Sequence, residues 1–272
     1  MEKIKKALER ARDSRSTNSG LGRLEKDARI NEAPVSETQI TYTKTQSLNI
    51  SKERLKEKRI VLGETNDSIS DQYKVLRTHV LQRLKKNQWN TLVVTSPREG
   101  CGKTLTSINL ATSIAMEVNH SALLVDMDLR RPNISRYFYD EDRPGISEYL
   151  SAELELSDIL FNPGIERLVV LPGSNSFSNS SEMLSSPRMV KLINELKARY
   201  MNRVVILDMP PVLSCDDVIA FTPFVDAVML VVEDGVTRKE DLVQAYNLID
   251  SSKFMGVVLN KSNERSNHNG YY

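Results

Sequence analysis

Lys103 and Thr104 follow two glycines, Gly100 and Gly102, in the segment TLVVTSPREGCGKTLT that spans residues 91–106. A short apolar β-type run, Leu92-Val93-Val94, precedes the glycines, and helix-forming sequence from Leu105 to Met116 follows. Strand, glycine turn and helix in that order make a cradle for phosphate. Glycine adopts backbone angles closed to other residues and leaves room for an anion. The N–H groups of the turn and the positive end of the helix then point at that anion. Lys103 would reach the β- and γ-phosphates of ATP, and the Thr104 hydroxyl would ligate Mg²⁺. Glu99, Gly100, Cys101, Gly102, Lys103, Thr104 and Leu105 are the residues expected around the phosphates. The full pattern G-x-x-x-x-G-K-[ST] is incomplete, because its first glycine falls on Pro97. An ordinary glycine turn before a helix is the bland alternative.

Two acidic segments argue against that alternative. SALLVD ends in Asp126-Met127-Asp128, and RVVILD ends in Asp208-Met209-Pro210-Pro211. Carboxylates at the C-terminal ends of buried strands sit where open α/β sheets bind ligands. An aliphatic run ending in Asp is the acidic partner of a phosphate loop, poised over Mg²⁺ through water.

The elements that must position these groups are legible as alternating strands and helices. Nearly all-apolar strands are predicted at 91–95, 121–126, 167–171, 203–208, 227–232 and 254–260. Helices are predicted at 67–86, 103–118, 182–200 and 238–249, with shorter ones at 154–161 and 216–221. Such alternation predicts an α/β fold of the P-loop NTPase type: a mainly parallel sheet with helices on both faces. Hydrophobic residues make up 40% of the 272, enough for one core. The folded domain is expected over 60–262.

The flanks read differently. Residues 1–15 form an amphipathic pattern, with Ile4, Leu8 and Ala11 on one face among basic residues, suited to a partner or an anionic membrane surface. Residues 16–59 are polar enough to read as a disordered linker. Residues 263–272 read as a flexible tail ending in Tyr271 and Tyr272. The net charge of +1 gives no global pull toward nucleic acid. Two cysteines, Cys101 and Cys215, imply no disulfide framework and suit a reducing cytoplasm. The longest apolar runs are of strand length, and the charged N-terminus is unlike a secretory signal.

Taken together, TSPREGCGKT, LLVDMDLRRP and VVILDMPP resemble the Walker A, Walker A′ and Walker B motifs of the bacterial tyrosine autokinases (BY-kinases) of exopolysaccharide loci. SEMLSSPRM and GVVLNK are also similar to family segments, and KIKKALERAR resembles the start of the cytoplasmic, exosortase-associated type. The resemblance covers roughly residues 65–262 and the tail. It implies transfer of the ATP γ-phosphoryl group to tyrosine, with Lys103, Asp126, Asp128 and Asp208 as catalytic residues. Thr104, Asp126 and Asp208 would hold Mg²⁺. Asp126 or Asp128 would be the base, and Asn260 would contact the nucleotide base. Tyr271 and Tyr272 would be acceptors, phosphorylated in trans, a pair where the family often carries a longer cluster.

The family's oligomerisation motif Glu-x-x-Arg-x-x-Arg aligns with Asp71, Lys74 and Arg77, which keeps the charge signs but gives up bidentate pairing at Lys74. The resemblance further implies a homo-oligomer and a membrane polysaccharide co-polymerase (chain-length regulator) acting as activator. It also implies a cognate tyrosine phosphatase, no nucleic-acid partner, and a cytoplasmic protein recruited through its partner to the inner face of the plasma membrane.

Two other readings are open at this point. One is a positioning ATPase resembling the MinD/ParA group, although Arg98 stands where those proteins carry their signature lysine. The other is a non-catalytic nucleotide-binding scaffold of an export complex.

Overall fold

The computed structural model describes residues 45–63, 68–151, 153–198 and 202–262. The amphipathic segment 1–15, most of the expected linker and the tyrosine tail lie outside these residues. Five helices matter most here: α1 (Lys52–Glu57), α2 (Ser68–Asn87), α3 (Lys103–Ala115), α4 (Pro187–Ala198) and α5 (Lys239–Leu248). The strands are β1 (Gln46–Ser47), β2 (Thr91–Thr95), β3 (Ser121–Asp126), β4 (Phe161–Asn162), β5 (Leu168–Leu171), β6 (Arg203–Asp208), β7 (Ala227–Glu233) and β8 (Phe254–Asn260).

The strands form one sheet in the order β1-β4-β5-β3-β6-β2-β7-β8. Every pairing is parallel except β4 with β5. The chain leaves β2 for β3 on one side and returns after β6 to β7 on the other. β2 therefore lies at a reversal of strand order, where a crevice opens beyond the C-terminal ends. The register sets the chemistry there: Val94 is paired with Asp208, and Asp208 with Asp126.

Alternation along the strands divides the core between two faces. Val93, Leu123, Val125 and Leu207 pack on one side, against Leu192, Ile193 and Leu196 of α4. Leu92, Val94, Leu124 and Ile206 pack on the other, against Ile108, Ala111 and Ile114 of α3 and Val80 and Leu84 of α2. Covered on both faces, the inner strands are apolar throughout, as expected from the sequence.

Two expectations are corrected. The ordered part begins before Ile60, since β1 pairs with β4 and α1 packs on the domain. Leu55 is buried, and Arg54 holds Asp140 through two 2.8 Å bonds. Burying that leucine contributes about 2 kcal/mol. The ion pair, with Asp140 largely exposed and screened by solvent, adds little. Leu55, with Leu48 and Ile50 packed partly buried against the same core, thus anchors a segment whose composition reads as linker. The predicted helix 182–200 is instead two helices, Ser180–Leu184 and α4. Pro187 has no N–H to continue the first and is suited to begin the second. The Ser186 hydroxyl caps the new start by accepting from Met189 N at 3.2 Å.

Candidate active site

The phosphate loop joins β2 to α3. Gly102 has φ +87°, and a Cβ there would lie 2.3 Å from the Asn260 amide nitrogen. The backbone angle favours glycine, and a side chain here would also push the Asn260 amide off the loop. The loop is braced from outside by the last strand. Asn260 Nδ2 donates to Cys101 O at 2.8 Å, and Lys261 Nζ donates to Gly100 O at 2.8 Å while pairing with Glu233. Its entering limb is tied to α5, where Arg98 forms a bidentate pair with Asp241 at 2.7 and 2.8 Å.

Inside the loop, a lysine and carboxylates converge. Lys103 Nζ lies 3.0 Å from Asp128 Oδ2 and 3.5 Å from Asp208 Oδ2. The Thr104 hydroxyl donates to Asp208 Oδ2 at 2.6 Å, and the Ser107 hydroxyl donates to Asp208 Oδ1 at 3.1 Å. Asp126 is held differently: its carboxylate accepts from Asn133 N at 2.8 Å, Ile134 N at 2.9 Å and Asp128 N at 3.3 Å. It therefore shapes the turn that follows β3.

The electrostatics follow from burial. Burial opposes the Lys103 charge, but Asp208, Asp128 and Asp126 outweigh it and raise its pKa. Burial pushes the Asp126 carboxyl up to about 7, and the Asp208 charge adds to that rise. Asp208 is also raised by burial, against the pull of Lys103. A buried carboxylate kept in this state favours an added cation.

The donor set fits Mg²⁺. The Thr104 hydroxyl and Asp208 are hard oxygen ligands brought together at one point. Among the described residues, no group of three or more His, Cys, Asp or Glu is placed to hold a metal by itself. That suits an ion shared with nucleotide phosphates rather than caged by protein.

A cavity of about 760 Å³ opens over this cluster, lined on one side by Glu99, Gly100, Lys103 and Thr104 and on the other by Asp128, Arg136 and Tyr137. A phosphate cradle and an acidic strand tip beneath an open cavity suit the phosphates of a nucleotide and their metal ion.

The comparisons agree. A family model described as an AAA domain matches residues 89–255. The tyrosine-protein kinase YwqD of Bacillus subtilis (strain 168) is 30% identical over 222 residues, 80% of this chain and 92% of that protein. The chain belongs to the bacterial tyrosine kinases (BY-kinases), built on the AAA domain. It is a protein-tyrosine kinase, an ATP:protein-tyrosine phosphotransferase. Among solved structures, the chimerical protein CapA2B2 superposes with a TM-score of 0.70 at 27% identity, over 80% of this chain and 94% of that one. The kinase domain of Escherichia coli tyrosine kinase ETK gives 0.67 at 25%, over 83% and 94%. The septum site-determining protein MinD of Pyrococcus horikoshii, at 21% identity and 0.50, over 62% and 69%, shares the fold alone.

The kinase brings most of the predicted residues together. Gly100, Gly102, Lys103, Thr104, Leu105, Glu99 and Asp128 line the cavity, whereas Asp126 and Asp208 lie buried beneath it. The Cys101 side chain turns away from the cavity, 3.8 Å from the Thr237 hydroxyl, so its sulfur sits clear of the phosphates. Asn260 uses its amide donor on the loop. Arg98, at the signature-lysine place, is held by Asp241 of its own chain. On α2, Lys74 pairs with Asp71 at 2.9 Å, but Arg77 turns inward and donates to Ser113 O at 2.9 Å in the last turn of α3. Tyr271 and Tyr272 lie outside the described residues.

Ser107 and Lys261 are the positions that sequence reasoning missed. Ser107 falls one helical turn beyond Lys103 and Thr104, a spacing that places it on the same face. Lys261 is adjacent to Asn260, yet nothing in a lone lysine after a strand marks it as a brace.

Proposed function

We propose that this kinase phosphorylates its own C-terminal tyrosines, Tyr271 and Tyr272, between neighbouring copies, and thereby regulates exopolysaccharide polymerisation and export. The observation that carries the reading is Lys103 held between Asp128 and Asp208, at the end of the phosphate loop and facing an open cavity.

ATP is the donor. The loop N–H groups and Lys103 would bind its phosphates, and Thr104 with Asp208 would hold Mg²⁺, while Asp126, expected at the metal, instead uses its carboxylate on the turn carrying Asp128. When bound, Mg²⁺ neutralises charge on the β/γ-phosphates. Asp128 takes the base role because it reaches the cavity surface and Asp126 does not. A phenol has pKa ~10, so a nearby carboxylate assists its attack at neutral pH. The tyrosine oxygen forms a bond to the γ-phosphorus, the bond to the β–γ bridging oxygen breaks, ADP leaves, and the phenolic proton passes to Asp128. Lys103 offsets the charge that develops. Asn260 braces the loop, and its remaining carboxamide oxygen is available to the nucleotide base.

Reach supports transfer between copies: Lys261 to Gly270 spans at most ~35 Å when extended. Each phosphate adds about −1.5 to −2 charges, which weakens docking of the tail and loosens the oligomer. A membrane co-polymerase is the proposed activator, recruiting the kinase to the inner face of the plasma membrane, and a tyrosine phosphatase resets it. No helix among the described residues is long and apolar enough to cross a membrane.

The test is phosphotyrosine mapping by mass spectrometry after incubation with Mg-ATP, beside Lys103→Met and with a cytoplasmic peptide of the activator. Label on Tyr271 or Tyr272, absent from the variant, is expected. Turnover of ATP with Tyr271 and Tyr272 unmodified would overturn the assignment of the tail as acceptor. Mixing wild type with a Lys103→Ala chain should label the inactive copy.

A further inference from the structure

The active-site cavity continues past Leu105, Asn133, Arg136 and Tyr137 into a second cleft of about 460 Å³, whose far wall is Glu57, Lys58 and Arg59. That wall is the C-terminal end of α1. Ile60 N donates to Leu55 O at 2.8 Å and Arg59 N to Lys56 O at 2.8 Å, the paired bonds of a Schellman cap. The residue at this place needs a positive φ, and glycine is its favoured occupant. Here it is Arg59, at φ 61°. Its carbonyl is fixed by Asn109 Nδ2 at 3.0 Å. Gln88, Arg167 and Lys261 share this backbone angle, so what matters at Arg59 is the place where its side chain leaves the helix end, on the wall of the cleft.

The charges in the cleft are uneven. Lys58, Arg59 and Arg136 face a single carboxylate, Glu57, whose field already reaches Arg54. The Arg59 charge is felt at the Tyr137 phenol. Lys58 is near Asp140, which already holds Arg54. Arg136 is exposed and has no ion-pair partner among the described residues. In the main cavity, by contrast, Arg130 is paired with Asp217 and Arg131 with Glu99. The uncommitted positive charge therefore lies along the second cleft, one side chain away from the phosphoryl-transfer site.

We propose that this cleft receives a second class of acceptor, a segment of another protein, and that Arg59 and Arg136, with Lys58, select tyrosines flanked by carboxylates. This rests on the reading that phosphoryl transfer to tyrosine occurs at Lys103 and Asp128. The kinase's own tail is a poor match, since between Lys261 and Tyr272 it offers one acidic residue, Glu264, against Lys261 and Arg265. The favoured occupant is an acidic, tyrosine-bearing segment of another protein.

The experiment uses the full-length kinase with Mg-ATP, the activator peptide and two synthetic peptides, one with Glu on both sides of a tyrosine and one with Gln there. Wild type should prefer the Glu peptide in kcat/KM by roughly tenfold, the effect of two modest ion pairs. Added salt should shrink that ratio. Arg59→Gly and Arg136→Gln together should bring it near one. Arg59→Gly alone should keep or raise the melting temperature while reducing the preference, a combination that a purely structural arginine would not give. Equal use of both peptides by wild type overturns the cleft assignment and leaves the kinase reading intact. Labelling of the kinase's own tyrosines with neither peptide modified also overturns it. Absence of phosphotyrosine on any substrate would sink both.

Discussion

Asp226, at the N-terminal end of the sheet, accepts from Asn90 N and Thr91 N at 3.0 Å and from the Thr91 hydroxyl at 2.8 Å, and Lys197 Nζ reaches its other oxygen at 2.6 Å. Asp208, at the opposite end, has two hydroxyls and a lysine shared with Asp128. Burial works on both. At Asp226, Lys197 and the backbone donors overcome it and the pKa falls below the ordinary value. At Asp208 burial prevails and the pKa rises. One carboxylate is a finished latch joining β2, β7 and α4. The other is held in a state that improves when a cation arrives. The same residue type thus serves stability at one end of the strands and chemistry at the other.

The largest expected effect is at the chemical end. Lys103→Met should cut tyrosine phosphorylation by at least ~10³-fold, consistent with loss of a group that offsets transition-state charge. Circular dichroism and melting temperature should stay close to wild type. Unfolding of the variant would mean that the two ends are not separable.

Exchanging the two aspartates sharpens the contrast. Asp208→Asn should remove activity with little net change in stability at neutral pH, because relief of a buried, disfavoured charge offsets the partner that Lys103 loses. Asp226→Asn should cost about 2 kcal/mol in urea melts while keeping activity per folded molecule. The Asp226 effect should also depend on pH. Its folded pKa is depressed, so its stabilisation is present above the unfolded value near 3.8 and is lost as pH falls through the folded value. The difference between wild type and Asp226→Asn should therefore close in acid.

Gly102→Ala comes next. The backbone angle and the Asn260 amide both oppose the new methyl, so nucleotide affinity should fall, with a stability cost of about 2 kcal/mol. Titration with an ATP analogue would measure it; unchanged affinity would show that the loop is softer than its bracing implies. The smallest effect belongs to Asp71→Ala. Its exposed pair with Lys74 is worth under ~0.5 kcal/mol to the fold, so sedimentation rather than melting is the informative readout. A lighter species at unchanged melting temperature would place Asp71 in a contact between copies.

The apolar strands and the glycine turn were legible because each obeys a local rule: continuous aliphatic runs for a doubly covered sheet, and strand-turn-helix for the phosphate loop. The pairing of Asp126 with Asp208 was only implied, since register is set by strand order, which periodicity does not encode. The folding of 45–59 escaped because composition averages over a segment, whereas Leu48, Ile50 and Leu55 on the core and the Ser51 hydroxyl, which caps α1 by accepting from Arg54 N at 3.2 Å, decide it. The break before α4 could have been read from Pro187, whose missing N–H suits the start of a helix more than its interior. Arg77 shows the opposite limit: spacing placed it on a charged face, but its length lets it turn back to the Ser113 carbonyl.

The clamp on the phosphate loop joins residues far apart in the chain, with Asn260 bonded to Cys101 and Lys261 to Gly100. Translation makes the loop early and its brace late. A nascent chain that has emerged only through β7 carries every Walker residue, yet the outer side of its loop is unsupported. Full support of the loop is therefore a property of the completed sheet, with β8 docked, and not of the Walker segments by themselves.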